Sequence, residues 1–362
     1  MSATVAGILA ERIHRHGPIP VAEFMATALY HPELGYYTGH DPFGLGGDFT
    51  TAPEISQIFG ELIGLWCLLS WQAMGAPRRV VLAEIGPGRG TLMADLLRTA
   101  RIRPEFFRAL EVVLVETSPA LRNRQRQTLA GESVAWVERV GQLPAGPLLL
   151  VANELFDALP IRQFVRDGAV WRDRLVGLEG DGRFCFLAGA VVNRPDLPAE
   201  AADGTIVERG EAGEALAATL GRRLAEAGGA ALIVDYGPAV SGVGETLQAV
   251  RRHRYHSVLA DPGLADLTAH VDFARLAAAA TAAGARAEGP VPQGVFLSRM
   301  GIEERVTMLM RGATPEQAAL LASGARRLID PGEMGTLFHV LALASPSLPR
   351  LPGLEPQGSS PA

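Results

Sequence analysis

Apolar residues are arranged in two textures along the chain. Before residue 77 the spacing is helical: Val5, Ile8, Leu9 and Ile13 recur every three or four positions, which predicts an amphipathic first helix. A glycine-rich loop at 35–48 follows, and then a long apolar helix over about 54–74. From Arg79 onward, short apolar runs alternate with polar-faced helical stretches: 80–85, a helix from Thr91, 112–116, a helix from Pro119, and 148–152. Further buried strands are predicted at 230–236 and 336–344. Short buried strands alternating with helices predict a parallel sheet with helical crossovers, because parallel neighbours need a crossover long enough to return along the sheet.

This pattern yields an expected organisation. Residues 1–77 read as a helical cap and lid, and 78–345 as a doubly wound, Rossmann-like α/β domain with insertions after its fourth and fifth strands. The first insertion is expected to be a hairpin at about 164–192, with strands 170–178 and 183–187 around the turn Glu179-Gly180-Asp181-Gly182. The second, about 240–330, reads as mainly helical. Proline, glycine and serine dominate 346–362, which is expected to be a disordered tail.

Composition narrows the chemistry. The formal net charge of -6 offers no general attraction to phosphate backbones, so nucleic acid is not an expected partner. All 33 basic residues are arginine. Without a lysine the chain has no Schiff-base amine, no Walker-type phosphate clamp and no Ser-Lys dyad. Cys67 and Cys185 lie in apolar surroundings without metal or disulfide spacing, and read as packing residues in a reducing compartment. His253, His256, His270 and Asp272 do not fall at the spacing of a metal site, so no metal is expected. The longest apolar stretch, 62–71, is broken by Gly64 and too short to span a bilayer. With no secretory segment evident, a cytoplasmic protein without membrane insertion is expected.

Candidate chemistry begins at the first predicted strand. Val80-Val81-Leu82-Ala83-Glu84-Ile85-Gly86-Pro87-Gly88-Arg89-Gly90-Thr91 places a glycine turn between a buried strand and a helix. The spacing Gly86, Gly88, Gly90 is Gly-x-Gly-x-Gly, unlike the Gly-x-Gly-x-x-Gly of dinucleotide folds. Glu84 stands two residues before the turn, where a carboxylate suits a cationic ligand and repels a pyrophosphate. The pattern therefore points to S-adenosylmethionine. Glu116, ending the next strand, falls beside the same crevice and is a candidate for the ribose hydroxyls, a device that a dehydrogenase would share.

Four strings of residues, 47–57, 59–61, 84–92 and Asn153-Glu154-Leu155-Phe156-Asp157-Ala158-Leu159-Pro160, closely resemble the MidA-type methyltransferases, relatives of a mitochondrial complex I assembly factor that methylates a protein arginine. Asp235-Tyr236-Gly237, 266–273 and Gln293 with Phe296-Leu297 extend the likeness over about 17–340. The resemblance implies a class I fold, S-adenosylmethionine as cofactor, and an arginine-bearing protein, such as a respiratory complex subunit, as substrate. Ala52 departs from members that carry serine there, and the short leader before the first matching residue points to a bacterial member.

Within this frame Asn153 and Glu154 follow the fourth strand, where the substrate atom meets the methyl group. Glu154 and Asp157 are candidates for holding a guanidinium through charge-assisted bonds, with Asn153 as the third catalytic candidate. Tyr36, Tyr37, Asp48 and Thr51 are candidates for a lid, with Asp48 and Thr51 also expected to meet the cofactor; ordered packing is the alternative for the tyrosines. Three rival readings remain open: a small-molecule N- or O-methyltransferase, a non-catalytic assembly factor that retains the fold, and a nicotinamide-linked dehydrogenase.

Overall fold

The computed structural model describes residues 4–39 and 50–355, and the chain divides into two compact units. One comprises Thr50–Phe156, Ala215–Ala239 and Asp272–Ala362. Its seven-stranded sheet is built from β1 (Val80–Ile85), β2 (Leu110–Val115), β3 (Val134–Val137), β4 (Leu148–Asn153), β5 (Gly229–Tyr236), β6 (Arg286–Pro292) and β7 (Phe338–Ala344), in the order β6-β7-β5-β4-β1-β2-β3. The pairs joining β3, β2, β1, β4 and β5 are parallel, and β7 runs antiparallel to both β5 and β6. The expected doubly wound sheet is present, with one reversed strand that makes it mixed.

β1 and β4 are buried at every position, which explains their unbroken apolar runs: strands covered on both faces have no polar side to alternate with. Val80, Leu82, Leu149, Val151, Leu232 and Val234 share one core with Ile58, Ile63 and Trp66 of the helix Gln57–Ala73 and with Leu92 and Leu96 of the helix Thr91–Ala100. Those two helices approach closely at Gly60 and Gly64, one turn apart. A Cβ on Gly60 would lie 2.6 Å from the Asp95 Cβ, and one on Gly64 would lie 2.9 Å from that of Thr99. Residues 57–73 are thus part of the sheet unit, and the expected cap of 1–77 is corrected to end at about residue 49. A helix apolar on most of its surface belongs against a sheet.

The other unit comprises Met1–Phe49, Asp157–Glu214 and Val240–Val271. Val170–Leu178 pairs antiparallel with Phe184–Val192, as the turn signal predicted, but also with Arg162–Asp167 and with Ile19–Pro20, and Arg162–Asp167 pairs in turn with Ile206–Arg209. The expected hairpin is therefore part of a five-stranded sheet. A second, three-stranded sheet joins Gln248–Arg251 to Arg254–His256 and Asp266–Thr268. Leu9, Phe24 and Leu29 from the helices Val5–His16 and Val21–Tyr30 pack with Val176, Ala249 and Leu267 of these sheets.

Two further expectations need correction. The supposed helical insertion at 240–330 divides: 240–271 supplies strands to the second unit, and the helices beyond it flank β6 in the first. The tail is ordered as far as residue 355, because Leu348, Leu351 and Leu354 are buried while Arg286 donates to the carbonyls of Leu348 at 2.5 Å and Pro349 at 2.8 Å. Residues 356–362 lie outside the described residues. Among the described residues no helix is long and apolar enough to cross a membrane.

Candidate active site

The turn after β1 is left-handed at three places, with φ of +64° at Gly86, +50° at Gly88 and +83° at Gly90. Only glycine adopts this region without steric cost. A Cβ on Gly86 would also come within 2.8 Å of Leu155 Cδ1. Gly90 then caps the helix Thr91–Ala100, whose first amides have no side-chain cap.

Glu84 is 3% exposed, and its Oε2 has no hydrogen-bond partner. Burial, and next the nearby charge of Glu116, push its carboxyl pKa up to about 8. A buried acid lacking a partner is costly in either protonation state, and a cation beside it would relieve the cost. The free protein should therefore hold Glu84 protonated at pH 6.5 and surrender that proton when a cationic ligand binds. S-adenosylmethionine binding at that pH, where its amine (ordinary pKa about 7.7–8.0) is already charged, is expected to release close to one proton. Titration calorimetry in buffers of different ionisation enthalpy reads this directly. Release unaltered in Glu84→Gln would remove Glu84 from the role.

Glu116 Oε1 accepts from the Ser118 amide at 2.8 Å, and Oε2 accepts from Gln125 Nε2 at 3.1 Å. Burial still leaves its pKa raised. Gln125 is fully buried and was not singled out in the sequence; the available signal was a polar residue four positions after buried Leu121 on one helix face. Its second amide proton goes to the Gly88 carbonyl at 2.8 Å, while its Oε1 accepts from Trp136 Nε1 at 2.9 Å. One side chain thus fixes the glycine turn relative to Glu116. Gln125→Leu should weaken cofactor binding by roughly 1–3 kcal/mol, because it strips partners from the half-buried Gly88 carbonyl and the buried Glu116 carboxylate. Calorimetric affinity equal to wild type would show that the turn holds itself.

At the end of β4 the chain turns through Glu154, a non-glycine residue with φ of +50°. The turn is held from β5. Glu154 N donates to the Val234 carbonyl at 2.9 Å, and the amides of Leu155 and Phe156 donate to Asp235 Oδ2 at 3.1 and 2.8 Å. Fully buried Asp235 is therefore a positioning residue that offsets the strain. Glu154 Oε1 accepts from the Ala52 amide at 2.9 Å and from Asn153 Nδ2 at 3.0 Å. Because a carboxylate only accepts, the Asn153 amide must turn its NH2 toward Glu154. That leaves Oδ1 as a buried acceptor with no hydrogen-bond partner.

Thr51 precedes Ala52, and its carbonyl accepts from the Glu54 amide at 2.9 Å. The Glu54 side chain in turn accepts from Thr91 Oγ1 at 2.6 Å, tying this segment to the helix after the glycine turn. Glu84, Gly86, Gly88, Gly90, Glu116, Asn153, Glu154 and Thr51 consequently lie within one unit. Asp157 is grouped with the other unit, in the short turn Phe156–Ala158, where its carbonyl accepts from the Ala269 amide at 2.9 Å. Asp48 lies outside the described residues. The tyrosines belong to ordered packing: Tyr36 is buried, and Tyr37 stacks on Tyr30 and donates to Asp266 Oδ1 at 2.8 Å. Asp272 caps the helix Phe273–Ala282 by accepting from the Arg275 amide at 3.0 Å.

Polarity separates this crevice from a dinucleotide site, since a buried acid with an unpartnered oxygen, ionised once a cation lies beside it, favours a sulfonium and an ammonium over a pyrophosphate. Together with the reversed β7 lying between β5 and β6, this makes the protein a class I S-adenosylmethionine-dependent methyltransferase. The model of a family of S-adenosyl-L-methionine-dependent methyltransferases, Methyltransf_28, matches residues 62–291, and the chain belongs to that family. It is 38% identical to the protein arginine methyltransferase NDUFAF7, mitochondrial, of Danio rerio over 92% of this chain and 85% of that protein. It is 34% identical to the Homo sapiens protein of the same name over 92% and 81%. A crystal structure from Burkholderia thailandensis, bound to S-adenosyl-homocysteine, superposes with a TM-score of 0.84 at 29% identity, covering 98% of this chain and 94% of that one.

Proposed function

We propose that the methyl acceptor is an arginine guanidinium of a protein, with a respiratory complex subunit as the acceptor class that the resemblance to assembly-linked relatives suggests. The observation that carries this reading is the polarity of the turn after β4: Asn153 Oδ1 and the Glu154 carboxylate are both acceptors. A guanidinium is their complement, having five N–H donors and no acceptor. When bound, S-adenosylmethionine supplies an electrophilic methyl group. The protein's own part is to hold and orient the acceptor: Glu154 binds the cation and stands ready to take the proton lost from the methylated nitrogen, while Asn153 Oδ1 accepts an N–H and fixes its direction. The names of the relatives support the same reading. A cytoplasmic location is proposed with it, supported by the free thiols of Cys67 and Cys185.

The test is transfer of isotopic methyl to short peptides containing a single arginine, citrulline or lysine. Label confined to the arginine peptide and recovered as methylarginine is the expected result. Label transferred to a neutral small molecule while every arginine peptide stays unlabelled would overturn the reading.

A further inference from the structure

The helices Ile302–Met310 and Pro315–Ile329, together with residues 55–57, surround an open groove of about 430 Å3. Ile55, Leu309, Leu320 and Leu321 give it apolar walls, the amides of Gln57 and Gln317 lie among them, and among the described residues no charged side chain lines it. Of these walls Leu320 is 73% exposed. Large apolar side chains gathered around a trough mark a surface that is covered in use. The trough is open, which suits a chain laid across it better than an enclosed metabolite. The Gln57 amide offers a donor and an acceptor to a peptide backbone, and Gln317, whose Oε1 accepts from the Thr314 amide at 3.0 Å, offers its NH2.

The floor of the groove identifies the occupant. Ile55 and Ser56 press against Gly324, where a Cβ would lie 3.2 Å from the Ile55 carbonyl oxygen and 3.3 Å from the Ser56 Cβ. Three residues before Ile55, the Ala52 amide is bound by the Glu154 carboxylate, and Glu54 is bound by Thr91 at the start of the helix that follows the glycine turn. The groove is therefore lined by the direct continuation of the segment that walls the catalytic site.

We propose that this groove receives the apolar residues that flank the target arginine in the polypeptide acceptor, so that specificity is read beside the guanidinium as well as at it. The inference rests on the arginine reading above. Its test uses the full chain and two 15-residue peptides with one central arginine, one flanked by serine and glycine, the other carrying leucine at alternate positions on one side. Wild type should show a KM roughly tenfold lower for the leucine peptide, the scale of discrimination by a small apolar pocket. In Leu320→Asp the ratio of the two KM values should fall toward one, with cofactor affinity and melting temperature unchanged. Equal KM values in wild type, or a preference that survives in Leu320→Asp, would overturn the groove alone and leave arginine methylation standing. Dimerisation of wild type that Leu320→Asp abolishes would assign the groove to a second copy and also overturn the proposal. If neither peptide is methylated, the arginine reading fails and the groove's assignment fails with it.

Discussion

Glu154→Gln is expected to bind S-adenosylmethionine within about twofold of wild type and to lose methyl transfer by roughly 100- to 10,000-fold, the span typical of removing a positioned acid or base. The substitution is informative because the amide keeps an oxygen that can accept from the Ala52 amide and Asn153 Nδ2, so the local framework survives while the charge is removed. Glu154→Ala also loses that framework and should add a stability defect. For a cationic acceptor the Gln variant should raise KM and lower kcat together, since the charge pair forms in the ground state and also orients the attacking nitrogen. Single-turnover kinetics on an arginine peptide at saturating cofactor separates these effects. Wild-type rates would exclude Glu154 from the chemistry, and a loss of cofactor binding would reassign it to the cofactor pocket.

Gly88→Val should abolish measurable cofactor binding while leaving most of the fold in place. At φ of +50° a β-branched residue carries strain of about 1–3 kcal/mol. The damage should spread, because the Gly88 carbonyl is gripped by Gln125, and Gln125 also holds Glu116. Shifting the turn therefore disturbs Glu116 as well as filling space beside the turn. Calorimetry for binding and circular dichroism for the fold would decide it. Near-normal affinity in a folded variant would mean that the cofactor lies elsewhere.

Legibility in the sequence followed burial. β1, β4 and β5 were readable because strands buried on both faces give continuous apolar runs, and the glycine turn was readable because left-handed backbone demands glycine. β3 escaped notice: it is a four-residue edge strand, half-buried or exposed throughout. β6 was obscured by Gly289, Pro290 and Pro292, which argue against a strand, although an outer position with a bulge between Glu288 and Val291 tolerates them. Glu154 could be placed at a strand end, but its left-handed conformation and its support from Asp235 could not, since both depend on β5 lying beside β4 more than 70 residues later in the chain. Gln125 likewise gains its meaning only from what surrounds it.

β7 is the last strand in the chain, yet it lies inside the sheet, between β5 and β6. During synthesis, β5 must wait with one edge unpaired until residues 338–344 have left the ribosome, an interval of about 100 residues or roughly 5–20 seconds at ordinary rates of elongation. Throughout that time the backbone N–H and C=O groups along one edge of Ala230–Tyr236 are open to wrong partners, as unpaired strand edges are. A release from the ribosome that comes too early would leave a chain carrying every site residue named above and still unable to close its sheet. The nascent protein should therefore depend on holding chaperones until its final strand arrives.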